Sequence, residues 1–183
     1  RIPIAHIAGG DTTEGAFDEA IRHSITKMSH LHFVTNEEAA RRIRQLGENP
    51  EHIYNVGSPG IDQIKRLKLL GREELEKAIN FKFKKKNVLV TFHPATLDIE
   101  SAACQFQEIL KALDNLGDDT GIIITKPNSD TEGRKLSRMV DEFVAAHLNA
   151  KAYVSLGQLY YLSTIAQVDA VIGNSSSGLY EVP

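Results

Sequence analysis

Short β-branched apolar runs alternate with apolar residues at helical spacing along most of this chain. Val88–Phe92, Ile122–Thr125, Ala152–Ser155 and Val168–Ile172 read as strands of its second part, and Ile2–Ile7, Leu31–Thr35 and His52–Val56 as strands of its first. Between them, Phe17, Ile21, Ile25 and Met28 recur with a helical period, as do Ile99, Ala103, Phe106, Leu110 and Leu113, and then Leu136, Val140, Phe143 and Val144. Each stripe predicts a helix that lays an apolar face on a core. A further helix is expected over Glu37–Gly47. Alternation of strand and helix predicts βαβ units, hence an α/β protein with Rossmann-like parallel sheets.

The segment GSPG at 57–60 interrupts this pattern and is the expected domain boundary, with residues 1–57 closing one α/β unit and 58–183 forming most of another. A charged helical stretch is expected from there to Asn80, followed by Lys82 to Lys86, whose four lysines read as a solvated connection into the strand at 88–92. The chain opens without Met on a strand and stops at Pro183 as a helix begins, which predicts an internal piece of a larger protein.

Composition narrows the class. With 183 residues, 42% hydrophobic and 25% charged, the chain is long enough for one or two globular domains. A formal charge of −3 and a pI near 6.2 provide no broad field for nucleic acid or an anionic membrane, so an anion site has to be local. Cys104 is the one cysteine, which excludes a disulfide scaffold and cysteine-based zinc sites. No apolar run approaches the roughly 18 residues of a membrane span, and there is no signal-peptide pattern at the N-terminus. The expectation is a cytoplasmic protein without membrane or nucleic-acid partners.

Ligands of such folds sit beyond the carboxyl ends of the strands, and four polar clusters fall there. The run VIGNSSSGLYE at 171–181 takes a strand into Gly173, three hydroxyls, a second glycine and a carboxylate. Unpaired N–H groups at the start of the next helix, with Ser175, Ser176 and Ser177 beside them, form a phosphate cradle. An N-cap explains one serine, but neither three nor Glu181, which has no Ser or Thr three residues before it to close a capping box. The run HIAGGDTTEGAFDEAIRH at 6–23 gathers Asp11, Glu14, Asp18, Glu19, Arg22 and His23 around paired glycines. Such carboxylates act as acid and base where their surroundings separate their pKa values. As a purely structural feature, Asp18 and Glu19 favour the helix N-terminus and Asp18–Arg22 is an i,i+4 surface pair. At TFHPAT, 91–96, His93 ends a buried strand and can hold phosphate or move a proton. KPNSD, 126–130, follows the next strand as a polar turn that loop chemistry alone also explains. His30 and His32 alternate at a strand start, a structural pattern more often than a metal site.

The string HIAGGDTTEGAFDEAIRHSITKMSHLHFVTNEEAARR, followed in order by VTFHPAT, KPNSD and VIGNSSSGLYEV, resembles the hydrolysing UDP-N-acetylglucosamine 2-epimerases of sialic acid and related nonulosonic acid biosynthesis. The likeness covers nearly the whole chain. It implies a GT-B-type two-domain architecture with a UDP-sugar in the cleft, and a homodimer or larger homo-oligomer. It puts His93, Asn128, Ser175, Ser176 and Glu181 on UDP, the serines facing pyrophosphate and Glu181 the ribose hydroxyls. Asp18 matches a catalytic carboxylate, Arg22 a basic residue of that helix and Asp11 a position usually acidic. Ala8 stands where sialic-acid-type members carry a catalytic Glu, and the loop is one residue longer, with Glu14 in it, so Glu14 or Asp11 is expected to take that role. The loop is closer to the legionaminic acid branch, which acts on UDP-N,N′-diacetylbacillosamine.

The chemistry so implied is removal of the C2 proton as UDP leaves C1, giving a 2-acetamidoglycal, then hydration at C1 and reprotonation at C2 from the other face. Two proton-transfer groups are required, together with donors on the departing pyrophosphate; His93 and the serine turn would supply the latter. No metal or other cofactor is demanded. Three other classes share parts of this pattern: a non-hydrolysing 2-epimerase, a GT-B glycosyltransferase, and a nucleotide-sugar-binding module without turnover.

Overall fold

The computed structural model describes residues 2–13, 17–93, 102–127 and 131–182, and the chain divides between Lys65 and Arg66 into two compact units. The first contains β1 (Ala5–Ile7), α1 (Asp18–Met28), β2 (Leu31–Val34), α2 (Glu37–Gln45) and β3 (Ile53–Asn55), and its last helix, α3 (Pro59–Arg66), ends at the division. Its three strands are parallel in the order β1-β2-β3, with His6 opposite His32 and His32 opposite Ile53. Helix α2 is specified locally: the Asn36 side chain accepts the Ala39 N–H at 2.8 Å, Glu37 and Glu38 occupy its first turn, and Arg42 and Arg44 its last. It buries Ala39, Ala40 and Ile43 with Val34 as this unit's core.

The apolar stripe of α1 gives the helix its period but not a buried face. Phe17, Ile21 and Met28 are 62%, 49% and 60% exposed, and the residue that α1 buries is Thr26, whose hydroxyl donates to the Arg22 carbonyl and lies 3.1 Å from His6 Nδ1. Spacing fixes which residues share a helix face, but not which face is covered.

The second unit contains α4 (Arg72–Ile79), β4 (Lys86–Thr91), α5 (Ala102–Asp114), β5 (Thr120–Thr125), α6 (Thr131–Ala146), β6 (Ala150–Tyr153), α7 (Gly157–Ile165), β7 (Ala170–Gly173) and α8 (Ser177–Tyr180). All four strands are parallel, in the order β6-β5-β4-β7. Parallel strands are covered on both sides, which is why β4 and β5 are apolar almost throughout. Val88, Val90, Ile122 and Ile124 pack against Phe106, Leu113, Leu136 and Val140 on one face. Leu89 and Ile123 pack against Leu75, Ile79, Phe81 and Phe83 on the other. The predicted stripes of α5 and α6 therefore lie in the core, apart from Ile99, which is outside the described residues. Lys82 and Lys84–Lys86 are exposed, while Phe81 and Phe83 between them are buried. Among the described residues no helix is long and apolar enough to cross a membrane.

Several boundaries differ from the sequence reading. Strand β4 begins at Lys86, because Asn87 is buried and tied in by its N–H to Asp169 Oδ2 at 2.7 Å and by its side chain to both backbone groups of Lys84. Strand β6 ends at Tyr153, opposite the last residue of β5, so Val154 has no ladder to join and is 79% exposed. Strand β1 begins only at Ala5, leaving Ile2 and Ile4 exposed. The charged stretch to Asn80 is two helices: the Leu70 N–H donates to Ser163 Oγ at 3.0 Å, and Gly71 precedes α4 with its N–H on Glu74 Oε2.

His147, just beyond α6, ties that helix to α5. Its Nδ1 is 2.7 Å from the Phe143 carbonyl and its Nε2 2.8 Å from Asp114 Oδ1. Both neighbours are acceptors, so both nitrogens donate only in the imidazolium. The Asp114 carboxylate, and then the Phe143 carbonyl, raise its pKa. A raised folded-state pKa gives stabilisation that is complete below the unfolded value of about 6.5 and is lost as pH rises through the folded value. The melting temperature of wild type should therefore fall across that window relative to His147→Gln. Parallel curves for the two proteins would show that the contact is not coupled to folding.

Candidate active site

In the second unit β4 is flanked by β5 on one side and β7 on the other, so strand order reverses beside β4 and a crevice opens at the carboxyl ends of β4 and β7. A cavity of about 470 Å³ occupies it, lined among others by Thr91 and His93 from β4 and its following loop, Thr125 and Lys126 from β5 and its loop, and Ser175, Ser177 and Glu181 from the turn after β7. Gly157, Gln158 and Tyr161 of α7 close another side. Its walls are fixed by short bonds. Thr125 Oγ1 lies 2.8 Å from Thr91 Oγ1, Tyr161 Oη lies 2.7 Å from Ser177 Oγ, and Lys126 Nζ lies 2.6 Å from Asp141 Oδ1. The Asn174 side chain accepts the His93 N–H at 2.8 Å and donates to the His93 carbonyl at 2.7 Å.

The turn after β7 depends on Gly173. Its φ is +147°, and a Cβ there would lie 1.8 Å from the Thr91 carbonyl oxygen, so β7 leaves the sheet in contact with the β4 backbone. A Cβ at Gly178 would meet nothing within 4 Å. Of the residues expected on UDP, His93, Ser175 and Glu181 line the cavity, Ser176 is exposed at the start of α8 and is not part of the lining, and Asn128 lies outside the described residues. Ser177, the third hydroxyl of the expected cradle, also lines the cavity; Tyr161 and Lys126 are additions to its lining, and Asn174 joins the site through His93.

The acid-rich run of the first unit surrounds a second hollow of about 300 Å³, lined by Asp11, Asp18, Arg22, His6, Ala8 and three isoleucines. Asp11 Oδ1 accepts from Thr35 Oγ1 at 2.7 Å, and the Asp11 carbonyl accepts from Arg22 Nη1 at 2.7 Å. Arg22 Nη2 reaches Thr13 Oγ1 at 3.2 Å. The expected Asp18–Arg22 pair is not formed among the described residues: Arg22 folds back over the loop instead, leaving the Asp18 carboxylate exposed at the hollow. Glu14 lies outside the described residues. Ala8 has φ +58° and its N–H is held by the Phe33 carbonyl at 2.9 Å.

His6, which no sequence signal singled out, lies 9% exposed in this wall. Burial, then the charges of His32 and Arg22, lower its pKa, so the ring is neutral at neutral pH. His6 Nδ1 lies 3.1 Å from the Thr26 hydroxyl, which also reaches the Arg22 carbonyl at 3.0 Å. His30 accepts the Ile4 N–H and His32 bonds Glu48, so both are engaged in the fold. Among the described residues no group of three or more His, Cys, Asp or Glu is placed to hold a metal ion. Chemically, the hollow of the first unit presents carboxylates and a neutral imidazole, and the crevice of the second presents hydroxyls, an ammonium and the Glu181 carboxylate among its described residues.

The model of the UDP-N-acetylglucosamine 2-epimerase family matches residues 1–183. The GDP/UDP-N,N′-diacetylbacillosamine 2-epimerase (hydrolyzing) of Campylobacter jejuni is 40% identical over 184 residues, covering 100% of this chain and 48% of that protein. The UDP-N,N′-diacetylbacillosamine 2-epimerase (hydrolyzing) of Legionella pneumophila is 35% identical over 181 residues, covering 99% and 47%. The chain thus spans about half the length of the curated relatives it matches. In fold it is similar to the UDP-GlcNAc 2-epimerase from Neisseria meningitidis bound to UDP-GlcNAc, with a TM-score of 0.72, 14% identity, and coverage of 95% of this chain and 48% of the other. With the model matched from the first residue to the last, the chain belongs to the UDP-N-acetylglucosamine 2-epimerase family.

Proposed function

We propose that this chain is part of a hydrolysing 2-epimerase that converts a UDP-2-acetamido sugar to UDP and the free 2-epimeric sugar by elimination and hydration. Residues 1–57 are read as the end of a first Rossmann-like domain and 58–183 as most of a second, UDP-binding one, in a GT-B-type protein. The observation that carries the reading is the crevice at the strand-order reversal, where His93, Lys126, Ser175, Ser177 and Glu181 line one cavity. Donors and a cation suit a pyrophosphate whose charge grows as it departs, and a carboxylate suits the ribose diol. Asp18, with Asp11 and Glu14 from the same run, is assigned to the proton transfers at C2, and Arg22 is read as the basic residue beside them.

UDP-N,N′-diacetylbacillosamine is favoured over UDP-N-acetylglucosamine as the substrate, because two relatives at 40% and 35% identity carry the former in their names. In D₂O, the full-length protein with such a UDP-sugar should release UDP and a free 2-epimeric sugar carrying deuterium at C2. Deuterated UDP-sugar without UDP release would identify a non-hydrolysing epimerase instead. UDP release without C2 exchange would mean a glycosyltransferase or simple hydrolase, and the proposal would fail.

A further inference from the structure

The hydrogen-bond ladder between β4 and β7 ends at the pair Thr91–Gly173. Among the described residues no further rung joins the two strands beyond it, and the strand order reverses at β4. The Asn174 side chain nevertheless bridges them, accepting the His93 N–H at 2.8 Å and donating to the His93 carbonyl at 2.7 Å. These bonds span 81 residues of sequence. A primary amide supplies acceptor and donor together, and so acts as one more rung of the ladder. Neither a carboxylate, which lacks the donor, nor a shorter hydroxyl reproduces both. Gly173 makes the reach possible by lying against the Thr91 carbonyl.

We infer that Asn174 is a positioning residue that fixes His93 relative to the Ser175–Ser177 turn. The inference rests on the reading above that these two loops hold UDP. Its consequence is selective: negative charge builds on the pyrophosphate in the transition state, so an independently moving His93 costs more in turnover than in ground-state binding.

The test is a double-mutant cycle in the full-length protein with Asn174→Ala, His93→Ala and the pair, measuring kcat and KM on the UDP-2-acetamido sugar and UDP affinity by calorimetry. Asn174→Ala should lower kcat by about 10²-fold, the scale of a displacement near 1 Å, and weaken UDP by less. In the His93→Ala background it should cost nothing further, because its effect runs through His93. Asn174→Asp should regain rate as pH falls and its carboxyl protonates, since the acid O–H again donates to the His93 carbonyl; wild type should lack that limb. Multiplying losses, or an Asn174→Ala protein with a lower melting temperature and unchanged kcat, would overturn the inference. If wild type binds UDP without turnover, the epimerase reading fails by itself, and the same cycle on UDP affinity decides the clamp: overlapping losses support it and multiplying losses overturn it. A wild type that does not bind UDP overturns both.

Discussion

Gly173→Ala is expected to be the most damaging single methyl group in the second unit. The added carbon would fall 1.8 Å from the Thr91 carbonyl oxygen and 2.6 Å from its carbon, both main-chain atoms of β4 that cannot rotate away. The backbone there also sits at φ +147°, a conformation that glycine adopts and alanine resists. Relief requires β7 to pull away from β4 at the last rung of the ladder, which takes Asn174 out of reach of His93 and carries the serine turn with it. A loss on the order of 4 kcal/mol or more is expected, at the exceptional end for one substitution. Denaturant unfolding of the variant measures it. Gly178→Ala, five residues on in α8, is the control: with nothing within 4 Å of the new carbon, it should be at least as stable as wild type. Equal stability of Gly173→Ala would mean that the β4–β7 junction yields without cost.

The same junction separates what was legible in the sequence from what was not. Runs such as Val88–Phe92 and Ile122–Thr125 announced strands because a parallel strand is buried on both faces, and continuous β-branched residues serve no other element so well. Their ends were less legible. Lys86 and Asn87 join β4 because Asp169 and Lys84 satisfy Asn87, partners that neither residue's own strand preference reveals. Val154 leaves β6 because β5 has run out, and that depends on a register set by another segment. Burial of α1 is not legible in the sequence for a similar reason: the period is local to the helix, whereas coverage of Phe17, Ile21 and Met28 depends on what lies against them.

The site follows the same logic. His93, Ser175 and Glu181 stood out because polar residues at strand ends have few structural duties to explain them. Asn174 and Tyr161 did not, since asparagine after a strand is ordinary turn chemistry and tyrosine in an apolar helix is ordinary core. What distinguishes them is a partner: His93 in one case, Ser177 in the other. Lys126 was read as part of a turn, and the Asp141 carboxylate that holds its ammonium lies 15 residues on, in α6.

Asp18→Asn in the full-length protein should lower kcat by about 10²-fold or more, the contribution of one general acid or base, with UDP affinity nearly unchanged. Asp11 and Asp18, the carboxylates that line the hollow among the described residues, differ in their commitments. Asp11 holds Thr35 through Oδ1 and Arg22 through its carbonyl, so it maintains the loop, and its replacement disturbs structure as well as charge. The Asp18 carboxylate makes no hydrogen bond or ion pair among the described residues and faces the hollow on the first turn of α1, so a proton transfer assigned to it would break no internal contact. Asparagine preserves its size while removing the proton acceptor. Deuterium entry at C2 should fall in step with UDP release, because the elimination needs the proton removed as the leaving group departs. An Asp18→Asn protein that turns over like wild type would assign this carboxylate to the helix dipole alone, and the transfer at C2 would have to come from another group of the loop.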